Sequence, residues 1–113
     1  MKKKALIISI KGTTLTNKEK ILLSKEKPWG IILFKRNIKS IKQIKTLTKN
    51  IRKYSNDKKF PILVDEEGSN VTRLGAYMSH NLSANYFGKL YKINKKIAIK
   101  LYSYYINSLC DNL

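Results

Sequence analysis

Acidic side chains are scarce in this sequence: seven Asp and Glu against 24 Lys and Arg in 113 residues, a formal net charge of +17. Arginine is scarcer still, with only Arg36, Arg52 and Arg73. That shortage weakens the obvious reading of a basic chain as a nucleic-acid binder, because base and phosphate recognition favours the bidentate guanidinium. The lysines are scattered, usually in ones and twos, among Ile and Asn, as in a solvated surface rather than one electrostatic stripe. A small basic α/β module that binds a polyanion is kept as the alternative reading.

Cysteine is nearly absent. Cys110 alone excludes an internal disulfide and fits a reducing compartment as a small residue on a helix face. His80 is the only histidine and has no Cys or Asp partner nearby in sequence, so it reads as a loop residue. No G-x-x-x-x-G-K-[ST] or G-x-G-x-x-G cradle occurs, and no carboxylates follow the spacing of a calcium loop. No cofactor or metal is therefore expected. Long apolar runs are missing too. The opening M-K-K-K-A-L-I-I-S-I imitates a signal peptide, but its apolar part ends at Lys11 with no cleavage site after it. Nothing approaches the ~18 residues of a membrane span. A soluble, cytoplasmic protein that does not engage a membrane is expected.

What is present reads as alternating strands and helices. Ala5–Ile10 and Gly30–Phe34 are short continuous apolar runs, and Pro61–Val64 is a third, with proline at the first position, where strands tolerate it. Such runs predict strands covered on both faces. Thr16-Asn-Lys-Glu19 and Ser40-Ile-Lys-Gln43 each have the pattern of a capping box opening a helix. The first helix is predicted to end near Lys25, ahead of Pro28. The second carries Ile41, Ile44, Leu47, Thr48 and Ile51 on one face and breaks at Asn56-Asp57. Phe87, Leu90, Ile97, Leu101, Tyr104 and Tyr105 predict the buried face of one long third helix, from Phe87 to about Cys110.

The order β-α-β-α-β-loop-α implies parallel strands joined by right-handed crossovers. A doubly wound sheet fits it, and so does the front of a (β/α)₈ barrel, which needs roughly 250 residues when complete. Both architectures place ligands at the carboxyl ends of the strands. The polar clusters K-G-T-T, K-R-N and D-E-E-G-S-N-V-T-R all fall there. In the last of these, three of the seven acids stand side by side, despite their mutual repulsion. Glu66 and Glu67 do not read as a glycosidase acid–nucleophile pair. Neighbours on an extended segment point to opposite sides, whereas that pair must flank one bond.

Four stretches together resemble the glycoside hydrolase family 3 amino-terminal domain. Trp29–Ile38 (W-G-I-I-L-F-K-R-N-I) is similar to that family's G-[VI]-I-L-F-x-R-N, and Gly12–Thr16 (G-T-T-L-T) to its G-T-x-L-T. Asp65–Leu74 resembles D-x-E-G-G-x-V-x-R-L, and Asn81–Asn85 (N-L-S-A-N) stands where the family has a loop leading into the third helix. The subgroup most resembled is the bacterial β-N-acetylhexosaminidases of peptidoglycan recycling.

The resemblance implies that residues 1–113 are the first three βα units of a truncated (β/α)₈ TIM-type barrel. It implies retaining hydrolysis that releases N-acetylglucosamine, with a carbohydrate as partner and no nucleic acid. By the same match Asp65 is the sugar-binding aspartate and Arg73 helps to hold the sugar, while Glu67 and Gly68 shape the loop. Ser69 and Asn70 depart from the family's usual glycine and arginine. The family's K-H-F-P-G-H-G-type segment, with its acid/base histidine, and its nucleophilic aspartate come later than the position matching Leu113. The segment is therefore expected to hold no catalytic residue and to be inactive alone.

Overall fold

In a computed structural model the chain is described at residues 2–66, 72–77, 82–111 and 113. It is mixed α/β, with a three-stranded parallel sheet and four α-helices among the described residues. Two compact units, Met1–Asp65 and Glu66–Leu113, divide it.

The first unit contains β1 (Lys4–Ser9), α1 (Asn17–Glu26), β2 (Pro28–Leu33), α2 (Ile41–Ser55) and β3 (Ile62–Val64). The strands lie in the order β1-β2-β3, both pairings parallel, with Ile8 beside Ile31 and Ile31 beside Ile62. The predicted alternation and parallel sense are found. The two predicted outer strands are edge strands of this sheet.

Its core is the buried face of α2 against the sheet and α1. Ile44, Leu47, Thr48 and Ile51 are buried along α2, as their spacing predicts, together with Leu23 of α1 and Ile31 and Leu33 of β2. Each fully buried side chain of this size contributes roughly 1.5–3 kcal/mol by leaving water.

Helix ends are closed by side chains. At α1 both arms of the capping box form. The Glu19 amide donates to Thr16 Oγ1 (3.3 Å), and the Thr16 amide donates to Glu19 Oε2 (2.7 Å). At α2 only half of the predicted box appears. Ser40 Oγ accepts from the Gln43 amide, but the Gln43 side chain accepts from Lys39, one residue earlier. Asn56 ends α2 in the left-handed region, at φ 53°, which asparagine tolerates.

The expectation that β1 is covered on both faces is corrected. Leu6 is 55% and Ile7 49% exposed, and adjacent strand residues point to opposite faces. An apolar run shows that a segment can be buried; it does not supply the layers that bury it. β2, the central strand, has the burial predicted for all three, apart from half-exposed Trp29.

In the second unit the single predicted helix is two, α3 (Ala84–Ile93) and α4 (Lys95–Cys110). Asn94 breaks them in extended backbone. Its amide donates to the Leu90 carbonyl at the end of α3, and its Oδ1 accepts from the Ile97 amide at the start of α4. The break resets the helical phase, so Ile97 and Tyr104, predicted to be buried, are 54% and 74% exposed, while Ala98 and Leu109 are buried instead. Phe87 joins the two helices, its ring 5.1 Å from that of Tyr102 and 5.5 Å from that of Tyr105. No helix among the described residues is long and apolar enough to cross a membrane.

Candidate sugar-binding edge

The parallel strands bring the segments after β1, β2 and β3 to one edge of the sheet. Asparagine 37 fastens the first two. It sits in a short 3₁₀ turn, Lys35–Asn37, and is 0% exposed. Its Nδ2 donates to the Ile10 carbonyl (3.1 Å) and the Gly12 carbonyl (2.9 Å), and its Oδ1 accepts from the Phe34 amide (2.9 Å). Three backbone groups of two loops are thereby satisfied by one amide, as a buried polar side chain requires.

Neighbouring side chains extend the clamp. Arg36 Nε also donates to the Ile10 carbonyl (3.2 Å), with its guanidinium 4.8 Å from the centre of the Phe34 ring. Gln43 Nε2 donates to the carbonyls of Thr13 (2.7 Å) and Asn37 (3.1 Å). Glu19 accepts from the Lys11 amide as well as from Thr16. Burial pushes its carboxyl up, but the amides of Thr16 and Lys11 outweigh that and hold it below its ordinary value. K-G-T-T and K-R-N, which sequence marked as ligand-edge polar clusters, thus work largely as loop construction. Sequence pattern flagged Asn37 only as part of a motif; two of its three partners, 25 and 27 residues away, gave no local signal.

Asp65 directly follows Val64, the last residue of β3, and is half-buried at the same edge of the sheet. It closes the first unit, and Arg73 belongs to the second. In that second unit Glu66 Oε2 accepts from the amides of Arg73 and Leu74, both at 2.8 Å. Glu66 therefore holds the Arg73–Leu74 backbone, a structural task for one of the three adjacent acids. Glu67, Gly68, Ser69, Asn70 and His80 lie outside the described residues.

No protein-family model matches the chain. A curated β-hexosaminidase of Psychromonas ingrahamii is 41% identical over 68 residues, 60% of this chain and 20% of that protein. The crystal structure of NagZ from Neisseria gonorrhoeae in complex with N-trifluoroacetyl-D-glucosamine is similar over 81% of this chain and 27% of its own, at 32% identity and a TM-score of 0.65. A glycoside hydrolase family 3 β-N-acetylglucosaminidase from Paenibacillus is similar over 60% of this chain and 14% of its own, with 25% identity and a TM-score of 0.55. Over most of its length the chain is similar to one part of proteins named β-hexosaminidase, NagZ and glycoside hydrolase family 3 β-N-acetylglucosaminidase.

The curated relatives it matches are far longer, and the chain spans 19 to 28% of their length. Within the family frame, the clamp around Asn37 belongs to the G-I-I-L-F-K-R-N motif, and Asp65 opens the D-E-E-G-S-N-V-T-R-L motif.

Proposed function

We propose that this chain is one wall of the sugar site of a retaining β-N-acetylhexosaminidase, built on the first three βα units of a (β/α)₈ barrel. The observation that carries this reading is the likeness, over 81% of the chain, to a NagZ crystallised with N-trifluoroacetyl-D-glucosamine. The parallel order β1-β2-β3, with Asp65 next to the carboxyl end of β3, supports it. In this reading Asp65 accepts hydrogen bonds from hydroxyls of a terminal N-acetylglucosamine, and Arg73, from the same motif, helps to hold that sugar. The substrate is a β-linked N-acetylglucosaminide derived from peptidoglycan, met in the cytoplasm.

Binding without a nucleophile and an acid does not accelerate hydrolysis. Residues 1–113 contain no match to the motifs that supply either in this family, so the chain by itself is expected to leave a chromogenic N-acetylglucosaminide uncleaved; enzyme-like turnover by the purified 113-residue protein would overturn that. The binding role is tested in a completed barrel, made by joining this chain to the remaining barrel of the gonococcal enzyme. Calorimetry should then detect N-acetylglucosamine binding that Asp65→Ala abolishes. Equal affinity in the variant would remove Asp65 from the site.

A further inference from the structure

The two helices of the second unit leave an apolar groove between them, about 340 Å³ in volume. Phe87, Gly88 and Tyr91 of α3 and Ala98, Ile99 and Tyr102 of α4 line it. The space beside Gly88 is open, for a Cβ built there would meet nothing within 4 Å.

The two helices carry charge of one sign. Residues 84–110 contain Lys89, Lys92, Lys95, Lys96 and Lys100 and not one carboxylate. One of these cations is held at the groove wall, with the Lys95 ammonium 5.6 Å from the centre of the Tyr91 ring. In the first unit, by contrast, Glu26 and Asp57 pair with Lys4 and Lys3.

Shape and charge choose among occupants. A bilayer surface is flat and would not fill a concavity between two helices. Base-edge readout asks for convergent hydrogen-bond donors, whereas four of the six lining residues, Phe87, Gly88, Ala98 and Ile99, have no polar side-chain atom. A second copy would bring the same lysines against these. An amphipathic helix fills such a groove with apolar side chains spaced at i, i+3, i+4 and i+7. If its other face is acidic, it also neutralises the rim.

We infer that the α3–α4 groove docks an acidic amphipathic helix, seated by its apolar ridge at Gly88 and attracted by Lys95 at the wall and the wholly basic charge of the two helices. The probe is a labelled Leu/Glu peptide of about five helical turns. It is read by fluorescence anisotropy against the 113-residue chain, beside a scrambled peptide of the same composition and vesicles of phosphatidylglycerol.

The ordered peptide should bind at least about tenfold more tightly than the scrambled one. Gly88→Leu, which fills the groove from open space, should weaken it by a similar factor while helicity by circular dichroism is kept. Should that variant fail to fold, Ile99→Glu puts a carboxylate on the half-exposed wall and should weaken binding equally. Equal binding of both peptides would reduce the effect to net charge and overturn the proposal. So would capture by vesicles combined with indifference of peptide binding to the groove variants.

Discussion

At Asn37 one side chain does what several loop residues would otherwise share. Its amide serves the carbonyls of Ile10 and Gly12 and the amide of Phe34 from a fully buried position. Replacing it by leucine keeps the approximate volume and strands at least Gly12 O and Phe34 N–H, since Ile10 O retains Arg36. At about 1–3 kcal/mol for each unsatisfied group, Asn37→Leu should cost some 2 kcal/mol or more. Exposed Lys35→Ala, two residues away, should stay within about 0.5 kcal/mol. Denaturant unfolding of both variants checks the contrast, and similar midpoints would mean that the clamp carries little. Glycine offers a second pair. A Cβ on Gly30 would sit 3.0 Å from the backbone oxygen of Pro61, whereas one on Gly12 meets nothing within 4 Å. Gly30→Ala should therefore push β2 from the chain entering β3 and lose about 1–3 kcal/mol. Gly12→Ala should be neutral or gain up to about 1 kcal/mol by restricting the unfolded chain. Thermal melts that rank the two the other way would refute this reading of the sheet.

The capped start of α1 makes its own stability depend on pH. Glu19 is held below its ordinary value, so the folded state binds a proton less readily there than the unfolded chain does. That contribution is complete above the ordinary glutamate value of 4.5 and is lost as pH falls through the lowered one. Glu19→Gln keeps a capping side chain and removes the titration. Between about pH 6 and pH 3 the native chain should lose more stability than the glutamine variant, and parallel curves would exclude a role for the Glu19 charge. Asp57 and Glu26, lowered by Lys3 and Lys4, titrate in both proteins and cancel in the difference. Elements of this kind were legible in the sequence because their signals are local. T-N-K-E announced the box, the three–four spacing of Ile44, Leu47 and Ile51 announced the face of α2, and apolar runs between breakers announced the strands. The split at Asn94 was not legible, because the lysine pattern at 89, 92, 96 and 100 runs straight across it. The one available clue was an asparagine, a strong N-cap residue, inside a helical pattern. Coverage of β1 and the Ile10 and Gly12 partners of Asn37 were out of reach for a different reason. Both are set by elements distant in sequence, and no periodicity encodes them.

For the molecule as a whole, the sheet edge and the net charge act in opposite directions. β1 is an edge strand with Leu6 and Ile7 half-exposed on opposite faces, the kind of edge on which copies pair. Against this stands a net charge of +17, which keeps copies apart at low ionic strength. Screening tightens from about 10 Å at 0.1 M salt to about 3 Å at 1 M, so salt should release the edge. The chain is therefore expected to self-associate more as salt rises. Complexes held by phosphate contacts with a polyanion weaken under the same change. The two readings of this basic chain, a barrel segment with an uncovered edge and a polyanion-binding module, thus predict opposite salt dependences. Sedimentation velocity of the purified protein at low and high sodium chloride separates them, with a parallel titration of a labelled single-stranded oligonucleotide. The barrel reading expects the mean sedimentation coefficient to rise with salt, and Leu6→Lys, a charge placed on the exposed edge, to suppress the rise. A monomer at every salt concentration would defeat the edge argument, and tight oligonucleotide binding that collapses with salt along a steep logarithmic slope would favour the module.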